Sequence, residues 1–542
     1  MQALKAKQRQ RRRERHFDNR VVWCFKDRAD SVYAGFAQAA QAHPQAQALV
    51  FGQRSWTYAE LAAEAGRIAA GLQQLGVLPG DRVALLLRNR AEFVTVFLAI
   101  QRLGAVAVPM DVRLQGVEVG HVLADAGARL LLHDEALADR LPAAAALSAD
   151  TVQLAVPEHQ PLFGDALAPP VQAVAEEDTA LILYTSGTTG KPKGAMLSHL
   201  NVAHSVIHHA GHLDLGAADR CVIAVPLSHV TGLLCGVIAT LSVGGTLVLL
   251  PHFKAREFLP AAAAAGMTYT IMVPAMYKLC LLVPDFDWRQ LSCWRIGHFG
   301  GAPMPEATIA ALADKLPGLD LVNGYGATET CSPAVTMPLG EGAAHRDAVG
   351  KPLACVEVMV VDPDTGIEQP TGQPGELWIR GPMVATGYWR NAAATQAAFV
   401  AGFWRSGDLG HLDADGYVHV HDRLKDVINR GGYKIYSAEV ESVLADCPGV
   451  VEAAIVGKPD PVLGERVHAF VTVAHTLAAE AVPLTGARLS AFCAQRLGDY
   501  KVPESWSLST EPLPRNANGK LSKQVLRLQL ADPTPALTLE TH

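Results

Sequence analysis

The chain lacks any paired cysteine motif. Its nine cysteines (Cys24, Cys221, Cys235, Cys280, Cys293, Cys331, Cys355, Cys447, Cys493) are scattered, and none forms a CxxC spacing. That argues against a disulfide framework and fits isolated, buried, reduced thiols of a cytoplasmic protein. Charge is also sparse. Charged residues make up 18% of the chain, 46 Lys and Arg stand against 53 Asp and Glu, and the formal net charge is -7. This balance gives no global attraction to nucleic acid or to an anionic membrane. The basic N-terminus MQALKAKQRQRRRERHFDNR has no apolar segment, which excludes a secretory signal. Residues 1–30 read as a solvated, disordered tail. The most apolar run, Val230 to Leu250, is cut by Gly244 and Gly245. It predicts a buried helix, a glycine break and a strand rather than a membrane span.

What is present is a long, core-rich chain. With 542 residues, 49% of them hydrophobic, it predicts at least two domains. The stretch DRVALLLRNRAEFVTVFLAIQRLGAVAVPMD reads strand, helix, strand, with Gly104 closing the helix. That is a βαβ unit and implies a parallel sheet covered by helices. The pattern recurs through CVIAVP, TLVLLP, YTIMVP and SCWRIGHFG. After about Gly350 short alternating strands appear (VEVMVVDPDTG, GELWIRG, GYVHVHDR), as in a small antiparallel or barrel-like subdomain. Past Asp422 the texture is that of a compact α+β piece. The expected fold is therefore a large α/β region over 31–422, a hinge at 423–426 and a small α+β lid over 427–542.

The densest polar motif is YTSGTTGKPKG, Tyr184 to Gly194. Gly187, Gly190 and Gly194 permit close approach of a ligand. Thr185, Ser186, Thr188 and Thr189 supply hydroxyls, and Lys191 and Lys193 supply positive charge, which together suit a polyphosphate. Only two residues separate Gly187 from Gly190, and Lys191 precedes Pro192, so this is not a Walker loop. The flanking segments ALILYTS and GAMLSH predict that it joins strand to strand. GYGATET offers the aromatic face of Tyr325, the backbone of Gly326, the hydroxyl of Thr328 and, in Glu329, a hard oxygen ligand for Mg²⁺. His204, His208, His209 and His212 have spacings that could bind zinc, without an accompanying HExxH.

YTSGTTGKPKG resembles the phosphate loop of the AMP-forming adenylate superfamily, which includes acyl-CoA synthetases, adenylation domains and firefly luciferases. Further motifs follow in that family's order, and the resemblance runs from about Ala48 to Leu526. It implies that Tyr325 stacks on adenine, Thr328 contacts the α-phosphate, and Glu329 with Thr185 holds Mg²⁺. Gly301, Ala302 and Pro303 would lie along the adenine. Asp408 of WRSGDLG and Arg423 of DRLKD would hold the ribose, and Lys425 would mark the hinge. Gly431 and Gly432 would form a strand edge beside the pantetheine of CoA. Lys520, in NANGKLSK, would bridge carboxylate and α-phosphate.

The acyl pocket would be lined by His229, Leu234, Cys235, His298, Phe299, Gly300 and Cys331. These are mostly apolar or small, and the glycines leave depth. The implied function is an ATP-dependent acid–CoA ligase acting on a hydrophobic monocarboxylate, a medium or longer fatty acid or an aryl or alicyclic acid. Its reactants would be ATP and CoA, with Mg²⁺ as cofactor and no nucleic-acid partner. Two alternatives stay open: transfer to a carrier protein, and a catalytically inactive binding protein. Only 22 residues follow Lys520, which favours CoA as acceptor. A homodimer is allowed but not specified.

Overall fold

The computed structural model describes residues 9–142, 151–158, 160–185, 192–473, 484–515 and 521–531. The expected βαβ unit is present: strands Arg82–Leu86 and Val106–Pro109 pair in parallel and helix Ala91–Arg102 joins them. The helix is buried on almost every face, which explains its nearly unbroken apolar sequence. These strands belong to a six-stranded sheet ordered Lys193–Ser198, Thr179–Thr185, Val106–Pro109, Arg82–Leu86, Leu130–Asp134, Val152–Val156.

A nine-stranded sheet carries the repeats read from the sequence. Its order is Lys351–Pro352, Ser332–Thr336, Asp320–Ala327, Ile296–Gly300, Tyr269–Met272, Arg220–Ile223, Thr246–Leu249, Gln47–Phe51, Arg54–Thr57. The five pairings from Asp320–Ala327 through to Gln47–Phe51 are parallel. The apolar run Val230–Leu250 resolves as expected. Thr231–Ile238 winds as a π-helix, Ala239–Ser242 continues as α-helix, Gly244 turns at φ +83° and Thr246–Leu249 is a buried strand. Among the described residues no helix is long and apolar enough to cross a membrane.

By internal contacts the chain forms two compact units. One comprises Met1–Ala302, Ala310–Met359 and Trp378–Arg405; the other comprises Pro303–Ile309, Val360–Leu377 and Ser406–His542. A third sheet holds Glu357–Val361, Gly375–Arg380, Phe403–Leu412 and Phe399–Val400 in that order, with Val418–Arg423 paired on Phe403–Leu412. The last sheet orders Tyr433–Ile435, Ile428–Arg430, Gly464–Val473 and Val450–Asp460, with Ser505–Ser509 parallel to Gly464–Val473. Helices Ser437–Ala445 and Gly486–Ala494 close one core around Ile435, Val440, Ile455, Val467 and Leu489.

Several expectations need correction. Residues 11–25 are not a disordered tail but an antiparallel hairpin of Arg11–His16 and Arg20–Phe25. It is tied down from its inner side. Arg28 bridges Glu14 and Glu176, His16 Nδ1 lies 3.0 Å from Glu177, and the Phe25 amide donates to His204. Cys293 is exposed, while the other eight cysteines are buried as expected. The unit boundary also precedes the expected hinge, because residues 406–422 fall with the C-terminal elements. Asp422 Oδ2 accepts the Ser437 hydroxyl at 2.7 Å, fastening that strand to the first helix of the C-terminal region.

Candidate functional site

The phosphate-loop motif joins strand to strand. Thr179–Thr185 and Lys193–Ser198 pair antiparallel, with Thr185 opposite Lys193, and the Thr185 hydroxyl lies 3.4 Å from the Lys193 carbonyl. Ser186, Gly187, Thr188, Thr189, Gly190 and Lys191 lie outside the described residues, as does Lys520. Gly194 is required by space: a Cβ there would meet Ile182 at 2.6 Å.

Glu329 sits on a short 3-10 turn, Thr328–Thr330, at the end of strand Asp320–Ala327. It is buried. Its Oε1 accepts the Tyr388 hydroxyl at 2.7 Å, and its carbonyl accepts from Ala385. The Lys193 ammonium lies 5.5 Å from the centre of the Tyr388 ring. The segment carrying Tyr388 runs along the strand after the loop: Trp389 donates to the Gly194 carbonyl and Met196 to that of Gly387. Burial and the neighbouring Glu329 carboxylate push the Tyr388 hydroxyl far above its ordinary value, so it stays a donor. Thr185, Lys193, Glu329 and Tyr388 thus form one connected group. Tyr388 and Trp389 were not foreseen; TGYWR has no spacing that marks it.

The acyl-side residues are built from other elements of the same unit. His229 Nε2 lies 3.0 Å from Asp111, whose carboxylate is gripped by Arg113 at 2.9 and 2.7 Å. Burial raises the Asp111 pKa, but hydrogen bonds from Arg113 and His229 outweigh it and hold the group ionised, well below its usual range. Leu234 and Cys235 are buried on the π-helix, and Cys235 is hydrogen-bonded to Ser332. Burial pushes the Cys235 thiol up to about 12. Cys331 and Ser332 both have positive φ, +53° and +94°. Two consecutive non-glycine residues in that region are backbone strain of the kind found beside sites. Phe299 and His298 are buried in strand Ile296–Gly300. Gly300 has no room for a side chain, since a Cβ would fall 2.4 Å from the Gly324 carbonyl. Gly301, Ala302 and Pro303 follow as exposed backbone. Tyr325 is half-buried, Gly326 is exposed, and Thr328 is half-buried.

In the second unit Asp408 and Arg423 are cross-strand partners, with Arg423 Nε 3.3 Å from Asp408 Oδ1. Gly407 bends the strand at φ +70° and its amide donates to the buried Glu376 at 3.1 Å. Lys425 is exposed on the short turn Leu424–Asp426, and Arg527 bonds both its carbonyl and Asp426. Gly431 and Gly432 are not a strand edge. They form the two-residue turn between Ile428–Arg430 and Tyr433–Ile435, both at positive φ, +60° and +94°, as a type I′ hairpin requires.

The histidine-rich helix His199–His212 does not gather a metal site. His204 bonds Leu200 and Phe25, His208 the Ala354 carbonyl, His209 the Tyr269 hydroxyl and His212 the Met337 carbonyl. Among the described residues only Glu14, His16 and Cys24 have ligand atoms close enough to share an ion. Arg28 already occupies Glu14 there.

The AMP-binding enzyme family matches residues 36–389, and its C-terminal domain matches 439–520. The chain belongs to this family. It is 37% identical over 488 residues to a feruloyl-CoA synthase of an Amycolatopsis species, covering 90% of this chain and 96% of the relative. It is 34% identical to a long-chain-fatty-acid–CoA ligase of Mycobacterium tuberculosis, covering 92% and 98%. Among solved structures it resembles the o-succinylbenzoate CoA synthetase of Bacillus subtilis in complex with its acyl-adenylate intermediate. The TM-score is 0.81 at 32% identity, over 94% of this chain and 99% of the other. The same enzyme with ATP and a magnesium ion gives a TM-score of 0.79 at 32% identity, over 92% and 99%.

Proposed function

We propose that this chain is an AMP-forming acid–CoA ligase acting on a hydrophobic monocarboxylate. The observation that carries the reading is the joining of Thr185, Lys193 and buried Glu329 at one end of a strand pair, in a chain whose family match extends to the C-terminal domain. A carboxylate is a poor acyl donor, because oxide would have to leave. Attack of its oxygen on the α-phosphorus of ATP expels pyrophosphate and gives an acyl-adenylate. A thiol then attacks the acyl carbon, AMP departs and the thiol proton goes to solvent or a base.

Within this reading the hydroxyls and lysines of residues 185–193 bind the phosphates, and the pair Asp408–Arg423 binds the ribose. A carboxylate is a bidentate acceptor suited to a diol. Glu329 and Thr185 are hard oxygen donors fit for Mg²⁺, which when bound offsets phosphate charge. Tyr388 fixes the Glu329 carboxylate through its Oε1. Lys520 would bridge the two anions of the first step, and the Gly431–Gly432 turn with hinge residue Lys425 would serve the second. Leu234, Phe299 and Cys331 supply an apolar wall, and no Lys or Arg stands among these residues to hold a second carboxylate.

The test is AMP and pyrophosphate release with ATP, Mg²⁺ and a panel of carboxylic acids, with and without CoA. Acid-dependent AMP release that turns over only with CoA is expected, with octanoate or benzoate well ahead of acetate. Acetate matching them would refute the hydrophobic assignment. Turnover only with a carrier protein would move the acceptor from CoA to that partner.

A further inference from the structure

Most polar atoms in the acyl-side region have protein partners. His298 does not. Its side chain is buried to 1% exposure, and neither Nδ1 nor Nε2 finds a hydrogen-bond partner. The Thr336 hydroxyl is likewise buried and unpartnered. These residues lie on the two strands that flank strand Asp320–Ala327, with Gly324 of that strand between them. His298 pairs with Val322 and Gly324 with Thr336, so by strand alternation all project from the same face. Gly324 makes room for the imidazole: a Cβ there would fall 2.3 Å from His298 Nε2. Two adjacent buried polar groups, separated only by a glycine, are an unusual expense in a core unless something satisfies them.

We propose that His298 and Thr336 form the recognition point for a hydroxyl group on the tail of the acid. This deepens the ligase reading and rests on it. The chemistry selects the hydroxyl. Burial pushes the imidazole down to about 3, so it is neutral, with one N–H donor and one acceptor nitrogen. A hydroxyl is also donor and acceptor and satisfies either nitrogen, with Thr336 taking the remaining bond. A second carboxylate only accepts, and a neutral imidazole does not offset its charge in a buried place. A plain hydrocarbon tail leaves all three atoms orphaned. His209 stands beside the site, its ring centre 5.0 Å from that of His298, but its Nε2 is engaged with the Tyr269 hydroxyl.

The experiment compares acids that differ by one hydroxyl: para-hydroxycinnamate with cinnamate, and terminally hydroxylated dodecanoate with dodecanoate. The kcat/KM for pyrophosphate release and the Kd by calorimetry are measured for wild type, His298→Leu and Thr336→Val. Wild type should favour the hydroxylated member of at least one pair by roughly tenfold or more in both readouts. His298→Leu should erase that preference, mainly by improving the unhydroxylated acid, and should keep or raise the Tm. Thr336→Val, which preserves shape, should reduce the preference a few-fold and carries the comparison if the leucine variant does not fold. No preference in either pair, a preference for the unhydroxylated acids, or a preference that survives both substitutions would overturn the proposal. If no acid releases pyrophosphate, the ligase reading falls, while equal Kd values within each pair would separately sink this one.

Discussion

Glu329, on the turn that ends strand Asp320–Ala327, and His298, on the strand paired with it, are both buried polar side chains, and they differ in company. Glu329 is held by Tyr388, and Tyr388 sits beside Lys193. Neither ring nitrogen of His298 has a hydrogen-bond partner. In the proposed reading, the first arrangement is preorganised for a ligand that never changes, the phosphates of ATP. The second keeps its hydrogen-bonding capacity unspent, at a cost in stability of about 1–3 kcal/mol for each orphaned group. A protein retains such a cost where a variable ligand is to be recognised. On that reading the nucleotide side is stiff and general and the acyl side particular, and Cys331 and Ser332, in left-handed backbone, follow directly on the Glu329 turn.

The largest effect should come from the held side. Glu329→Gln keeps the shape and removes the charge; AMP formation should fall by about 10²–10³-fold, as for loss of one group stabilising developing charge. Steady-state pyrophosphate release measures it, and a loss under threefold would contradict the role given to Glu329. In the second unit, Asp408→Ala should raise the KM for ATP by about tenfold or more through loss of the diol acceptor, with little change in the KM for the acid. A change confined to the acid would break the assignment. Tyr388→Phe should cost about tenfold in kcat, since one hydrogen bond to a charged group is worth roughly 1.5–3 kcal/mol before compensation. An unchanged rate would mean that Glu329 needs no such support.

The smallest effect on activity, and a distinct one on stability, concerns pH. Burial lowers His199 and His208 to about 4 and His204 and His298 to about 3. Their folded values lie below the unfolded one near 6.5, so the unfolded chain binds more protons between these limits. Stability is full above about pH 6.5 and is lost as pH falls toward 4, by up to about 1.4 kcal/mol per pH unit for each such histidine. Thermal melts from pH 7 to 5 should show a falling Tm, shallower in His298→Leu. A Tm that is flat across this range would contradict the burial.

Much of this was legible in the sequence because it is local. The βαβ unit, the strand-to-strand phosphate loop and the break at Gly244 follow from short-range pattern or from contiguous motifs, whereas the cross-strand pairing of Asp408 with Arg423 is seen only in the structure. Tyr388 was not legible: its bond to Glu329 spans 59 residues. The hairpin at residues 11–25 was misread for a physical reason. Arg11, Arg13 and Arg15 are exposed and give the segment the composition of a solvated tail. Inward, Val22 and Cys24 are buried, Glu14 is held by Arg28, which also bonds Glu176, and His16 is held by Glu177, so the anchoring groups lie far along the chain. The role of His298 was visible only as a lining residue, because an unsatisfied nitrogen has no sequence signal.

The most direct test of the central claim is a two-stage single turnover. Protein in excess is mixed with ATP, Mg²⁺ and a hydrophobic acid, quenched, and analysed for acyl-AMP; CoA is then added to a parallel sample. The account predicts acyl-AMP and pyrophosphate in the first sample and conversion to acyl-CoA and AMP in the second. ADP and phosphate as products, or a thioester formed with no adenylate before it, would contradict it.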